Sequence, residues 1–255
     1  MNGWIVYSKS EAVRNKWFIE HFIKTADIYG HTLTLKFPDE ITSPYPDFAI
    51  VRAFDYKINE ALENKGVRVF NNSKLAKIAN NKALCYKFMN ENGIPIMPTF
   101  YEMPQNPKFP LIVKSVGGHG GSEVVMVNNN GELIYASKNI PNPIYQQVAS
   151  DLGKDLRVYV INNEIVASML RQSITDFRSN YCLGGTASIY TPSEKEINLV
   201  NKIISLFDIA YAGIDFVFND EEIVFNEIED AVGARMLYDL TDIDIVKEWF
   251  ERIKL

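Results

Sequence analysis

Acidic residues set inside apolar strands constrain this chain more than any other feature. The stretch Ala212-Gly213-Ile214-Asp215-Phe216-Val217-Phe218 is followed shortly by Ile223-Val224-Phe225-Asn226-Glu227-Ile228-Glu229-Asp230. Both segments read as strands, and the short break between them makes an antiparallel hairpin. A carboxylate buried among apolar side chains is costly, so it needs a cationic partner or a metal. Glu227 and Glu229 are two apart and share a face of their strand. Asp215 joins that face if it lies opposite Glu227, which asks for an odd number of turn residues, either 220–222 or 219–223. Hard oxygen ligands gathered in this way suit magnesium or manganese bridged to nucleotide phosphates. The alternatives are a solvated sheet edge, or ion pairs with Arg157 or Arg171.

The rest of the chain alternates strand and helix patterns, which gives an α/β or α+β class. Strands are predicted at 4–7, 32–37, 47–53 and 67–70. A helix is predicted over 11–24, with Val13, Trp17, Phe18, Phe22 and Ile23 on one face, and another over 57–65. These first residues read as a small open sheet with crossover helices. Asn72-Ser73 caps a helical pattern that runs to about Asn92 and stops at Gly93. Ile94-Pro95-Ile96-Met97-Pro98 is extended, because proline biases the residue before it away from helix. A strand over 109–114 leads into a glycine loop, a return strand covers 123–127, and Pro141-Asn142-Pro143 breaks the chain. A strand at 144–148 then links two lobes. Beyond it come strands at 156–161 and 164–170, joined at the turn Asn162-Asn163. A helix over 193–206, the acidic hairpin and a closing helix over 242–253 complete the chain.

The loop reads Leu111-Ile112-Val113-Lys114, then Ser-Val-Gly117-Gly118-His119-Gly120-Gly121. Glycines this dense let backbone N–H groups approach an anion, and phosphate is the ligand that wants such a loop. Lys114 ends the strand and could hold phosphates as a point charge. No Gly-Lys-Ser/Thr follows, so the loop is not of the Walker A type. The other reading is a plain hairpin tip. Lys82, in Asn81-Lys82-Ala83-Leu84, is a second candidate and alone reads as a solvated helix lysine. His119 reads as exposed, and Cys85 and Cys182 as unreactive.

The composition limits partners. The chain has 255 residues, 47% of them apolar, and a net charge of −6, which argues against nucleic acid held by bulk electrostatics. Two cysteines imply no disulfide framework, which favours a cytoplasmic home. No apolar run is long enough for a transmembrane helix, so no membrane partner is expected.

These pieces come in the order found in the ATP-grasp superfamily. Within it the chain resembles the ribosomal-protein glutamate ligases and their relatives, the RimK type. The most specific stretch is Asp176-Phe177-Arg178-Ser179-Asn180, followed by Gly184-Gly185-Thr186-Ala187-Ser188. The resemblance runs from about Asn71 to the end of the chain. It implies a pre-ATP-grasp domain over 1–71, a small lobe with the glycine loop over 72–145, and a C-terminal lobe over 146–255. It implies Lys82, Lys114 and the loop glycines Gly117, Gly118, Gly120 and Gly121 as ATP phosphate ligands. Gln146-Gln147-Val148 fall where an interlobe strand holds adenine through its backbone, and Asp155 where a ribose hydroxyl is bound. Arg178, Ser179 and Asn180 match a further nucleotide and active-site loop. Asp215, Glu227 and Glu229 fall at the metal positions. Arg157, Arg171 and Arg178 match catalytic arginines. Arg52 ends a strand where relatives also carry arginine. The departures are Glu229 where the family has asparagine, Gln147-Val148 where it has glutamate and an aromatic residue, and Gly233-Ala234-Arg235 without the usual Ser-Pro-Gly lead-in.

The activity so implied is an ATP-dependent carboxylate–amine ligation through an acyl phosphate, with magnesium or manganese as cofactor. Its substrates would be small-molecule or peptide carboxylates and amines, such as an amino acid added to a peptide or amino-acid acceptor. Oligomerisation with further copies of the chain is left open. The rivals are a kinase on the same fold and a non-catalytic nucleotide-binding module.

Overall fold

The computed structural model describes residues 1–118, 123–179 and 185–255. Its first layer is a parallel sheet of β1 (Asn2–Val6), β2 (Thr32–Lys36), β3 (Phe48–Val51) and β4 (Arg68–Phe70), in the order β2-β1-β3-β4. β3 is buried at all four positions, as a strand covered on both faces must be. The predicted helix over 11–24 is instead two helices, α1 (Lys9–Arg14) and α2 (Lys16–Ile28). Asn15 ends the first, its side-chain amide donating to the Glu11 carbonyl. The break changes the face that meets the core. Phe18 and Phe22 are buried, while Val13 is 81% and Trp17 59% exposed. α3 (Tyr56–Glu63) crosses between β3 and β4.

The helical run predicted to reach Asn92 also divides, into α4 (Ser73–Ala79) and α5 (Lys82–Glu91). Each has an asparagine cap: Asn72 accepts from the Leu75 N–H, and Asn81 from the Leu84 N–H. The break makes Lys82 the first residue of α5, where its own N–H is free to donate to the Val116 carbonyl at 2.9 Å. The start of α5 is thereby tied to the next sheet. That sheet holds β5 (Thr99–Phe100), β6 (Leu111–Ser115), β7 (Val124–Val127) and β8 (Pro143–Gln147), antiparallel in the order β5-β8-β6-β7. α6 (Asn130–Asn139) lies against it and has no counterpart among the elements predicted from sequence. Only Leu133 and Ala136 are buried along it, too few for an apolar period.

The largest sheet contains β9 (Lys154–Ile161), β10 (Glu164–Gln172), β11 (Thr186–Ile189), β12 (Tyr211–Asn219) and β13 (Glu222–Glu229), ordered β11-β10-β9-β12-β13. α7 (Glu194–Ile204) connects β11 to β12, and α8 (Arg235–Leu240) and α9 (Ile245–Arg252) follow β13. One core packs Phe22 of α2 with Trp249 and Phe250 of α9 and with Tyr159 and Met169 on one face of this sheet. A second packs α4, α5 and α7 on its other face, with Ile214, Phe216, Phe225 and Ile228 at the centre. No described helix is long and apolar enough to cross a membrane.

The acidic hairpin corrects one expectation. Its turn is two residues, Asp220 and Glu221, both in the left-handed region, and not the odd number predicted. Asp215 nevertheless lies opposite Glu227. A β-bulge does this: Phe216 pairs with Phe225 and Asp215 with Glu227, leaving Asn226 as the extra residue.

Candidate active site

Cross-strand register builds the centre of the site. In the large sheet Asp215 is the direct neighbour of Arg157 on one side and of Glu227 on the other, while Arg171 is the direct neighbour of Asp155. Arg157 grips Asp215 with a fork, Nε to Oδ1 at 2.7 Å and Nη2 to Oδ2 at 2.6 Å. Its Nη2 also reaches Glu229 Oε1 at 2.7 Å. Arg171 forks onto both Asp155 oxygens and sends Nη2 to Asp215 Oδ2 at 2.7 Å. Asp215 is 1% exposed, so its charge depends on these two guanidiniums. Burial drives its carboxyl up, but Arg157 and then Arg171 outweigh burial and hold it below the usual range. Burial wins at Asp155 and Glu229, whose carboxyls lie above theirs despite Arg171 and Arg157. Pairing with Arg157 or Arg171, as the sequence allowed, is thus found for Asp215 and Glu229, while Glu227 pairs with Lys82. The partner of Glu229 is Arg157.

A metal reading fits the same residues. Asp215, Glu227 and Glu229 each offer a carboxylate oxygen, and these oxygens lie within 4.8 Å of one another. Such a set of hard donors around one point matches a magnesium or manganese ion.

The lysines come from the other side. Lys82 Nζ stands 3.1 Å from Glu227 Oε2 and donates to the Gly118 carbonyl at 2.5 Å. Burial pulls the Lys82 amine down, and Glu227 more than reverses this. A Cβ on Gly118 would come within 2.9 Å of Glu123 Oε2, the end of a flexible side chain that can move aside. A Cβ on Gly117 would meet nothing within 4 Å among the described residues. Lys114, on β6, is buried and donates to the Tyr86 hydroxyl at 2.5 Å, Gln146 Oε1 at 2.9 Å and Asn226 Oδ1 at 3.3 Å. Burial, and then the charge on Lys82, lower its amine to about 7.

Gln146 and Gln147 end β8, and Val148 lies just past it. The Gln146 side chain is spent on Lys114 and on Thr99 Oγ1, and the Gln147 N–H on the Pro98 carbonyl. Asp155 has both oxygens held by Arg171, so its side chain serves the acid–arginine network in this structure. Arg178 pairs with Asp176, Nη2 to Oδ2 at 2.7 Å, and Ser179 is buried. Gly120, Gly121 and Asn180, with His119, Cys182 and Gly184, lie outside the described residues. Cys85 is buried, and burial pushes its thiol up to about 12, out of reach of nucleophilic work. Arg52 is buried too, donating to the Tyr7 hydroxyl and the Val232 carbonyl and so joining the first sheet to the chain after β13.

Tyr86 and Asn226 escape a reading of the sequence alone. A tyrosine inside a helix carries no signal of its own. Asn226 does leave one: the buried apolar residues of β13 are two apart from Ile223 to Phe225, then three apart to Ile228.

A small antiparallel sheet and a large one, with Lys114 of the first and Lys82 of α5 both reaching β13 of the second, fit an ATP-grasp ligase fold. A model of the RimK-like ATP-grasp domain matches residues 79–253, and the chain belongs to that family. An uncharacterized Mycoplasma pneumoniae protein is 25% identical over 247 residues, 91% of this chain and 85% of that one. Human beta-citrylglutamate synthase B is 28% identical over 214 residues, 74% of this chain and 55% of that longer one. Among solved structures, D-alanine–D-alanine ligase from Bacillus anthracis complexed with ATP matches with a TM-score of 0.78 at 14% identity, over 99% of this chain and 96% of that one. That likeness is one of fold.

Proposed function

We propose that the chain is an ADP-forming carboxylate–amine ligase that takes amino-acid or peptide substrates. The observation that carries this reading is the convergence of two lysines on the strand that bears Glu227 and Glu229: Lys82 pairs with Glu227, one of three clustered carboxylates, and Lys114 reaches the adjacent Asn226. Phosphorylation supplies the leaving group that a carboxylate lacks at neutral pH. The substrate carboxylate attacks the γ-phosphorus and ADP departs; the amine then attacks the acyl carbon and phosphate departs.

Lys82 and Lys114 hold phosphate oxygens, aided by backbone N–H groups of the glycine loop. The backbone at Gln146, Gln147 and Val148 holds adenine, and the loop at Arg178, Ser179 and Asn180 borders the nucleotide. For Asp155 to accept from a ribose hydroxyl, it must share its oxygens with Arg171. Asp215, Glu227 and Glu229 would hold magnesium or manganese, which when bound neutralises charge on the phosphates. Arg157 and Arg171 keep Asp215 ionised and hold Asp155 and Glu229 in place, and their forks suit a substrate carboxylate or the transferring phosphoryl group. Relatives named as a beta-citrylglutamate synthase and a probable alpha-L-glutamate ligase support the class of substrate.

The test is a pairwise screen of amino acids and short peptides with ATP and magnesium, reading ADP release and product mass. ADP release that needs both members of a pair, with an amide of the summed mass less water, supports the ligase. A phosphorylated product without free phosphate would replace it with a kinase. Nucleotide binding with no turnover on any pair would leave a binding module.

A further inference from the structure

The charges of the two lysines are handled differently, and a single bulge arranges both. Lys82 meets a carboxylate, Glu227. Lys114 meets three neutral oxygens and, among the described residues, forms no ion pair. Asn226 and Glu227 are consecutive, and consecutive side chains of a regular strand point to opposite faces. The bulge at Asn226 suspends that rule, so the amide reaches Lys114 while the carboxylate reaches Lys82. Tyr86 closes the arrangement: it accepts from Lys114, and its hydroxyl donates to Asn226 Oδ1 at 3.3 Å.

An ammonium has three hydrogens, and here Tyr86, Gln146 and Asn226 take one each. The Asn226 contact is the longest, hence the easiest to exchange for a phosphate oxygen. Neutral acceptors fix the direction of the amine without cancelling its charge. A carboxylate in the same place would cancel it and repel the phosphates.

We propose that Asn226, delivered by the bulge and braced by Tyr86, is a positioning residue that aims Lys114 at nucleotide phosphates and keeps its charge available to them. The inference rests on the reading of Lys114 as a phosphate ligand. It concerns neutrality at position 226, so the decisive substitution is the near-isosteric Asn226→Asp.

The experiment measures binding of ADP and of adenosine by calorimetry to the whole chain, in EDTA so that no divalent ion bridges the new carboxylate to phosphate. Wild type is compared with Asn226→Asp, Tyr86→Phe and Lys114→Met. Asn226→Asp is expected to weaken ADP by roughly tenfold or more, as like charges brought together do. Tyr86→Phe is expected to weaken ADP severalfold. Adenosine should bind all four proteins alike, because it has no phosphate to sense Lys114. ADP affinity unchanged in Asn226→Asp, alongside a loss in Lys114→Met, overturns the inference and leaves the reading of Lys114 standing. Unchanged ADP affinity in Lys114→Met overturns that reading and the inference with it. Equal losses of ADP and adenosine in Asn226→Asp also overturn it, since they mark a structural role.

Discussion

Glu229 Oε1 lies 2.7 Å from Arg157 Nη2 while sharing a point of approach with Asp215 and Glu227. One carboxylate has two oxygens, so the same side chain can answer to an arginine and to a metal. Hard cations prefer charged oxygen ligands. Glu229→Gln is therefore expected to raise the magnesium or manganese concentration for half-maximal turnover, by about tenfold if one ligand is weakened. An unchanged metal requirement in that variant would confine Glu229 to its pairing with Arg157.

Asp215 carries the largest structural burden in the site. It bridges two buried guanidiniums, those of Arg157 and Arg171. Asp215→Asn removes the carboxylate that Arg157 and Arg171 share and leaves Arg157 to Glu229 and Arg171 to Asp155; breaking a buried pair costs about 3–5 kcal/mol. Urea unfolding at neutral pH should show a loss of that size. A midpoint within error of wild type would mean that water, and not Asp215, solvates the two guanidiniums.

Gly153 fixes the loop that carries Arg178. It sits at φ +66°, gives its N–H to the Phe177 carbonyl and accepts from the Ser173 N–H. A Cβ there would stand 2.3 Å from the Ser173 carbonyl oxygen. Gly153→Ala is expected to cost about 1–3 kcal/mol in backbone strain, and more through the clash. Thermal unfolding reads the loss, and wild-type stability would show that the loop is not held there.

The Lys114 amine, lowered to about 7, gives a pH dependence with a definite sign. Only the protonated amine attracts phosphate, and the free protein loses that proton as pH rises through about 7. ADP affinity in EDTA should fall on the order of tenfold or more from about pH 7 to about pH 9, a tenfold loss corresponding to about 1.4 kcal/mol. The Lys114→Met variant should show a flat profile over the same range. For folding the sign is opposite. An unfolded lysine keeps its proton to about its ordinary value of 10.5, so the unfolded chain binds more protons above pH 7 and Lys114 destabilises the fold less as pH rises.

The acids and Lys114 stand out in the sequence because of the cost of their surroundings, whereas Lys82 reads by itself as a solvated helix lysine. Carboxylates among Ile214, Phe216, Phe225 and Ile228 need partners, and glycines crowded after a buried strand need a use. The partners themselves are not legible, because Arg157–Asp215 and Arg171–Asp155 follow from strand register, which no single strand specifies. The parity of the hairpin fails on one residue. The three-residue step from Phe225 to Ile228 shows the bulge once it is sought, but a regular strand is the default expectation. The helix breaks at Asn15 and at Asn80-Asn81 escape notice because asparagine in a helical pattern reads as a tolerated interior residue until its side chain is seen to cap. Tyr86 is illegible for a different reason: its role lies in a contact with β6 and β13, and nothing on α5 announces it.

The central claim is that a carboxylate is activated by phosphorylation and then joined to an amine. For any substrate pair that releases ADP, the direct measurement uses the acid labelled with oxygen-18 in its carboxylate and determines the mass of the phosphate released. The attacking carboxylate oxygen forms the bond to phosphorus and stays with it when the amine displaces phosphate. One labelled oxygen in the released phosphate, with an equal amount of amide, is the expected result. Phosphate without label, or label retained in a phosphorylated acid that never forms an amide, contradicts the account.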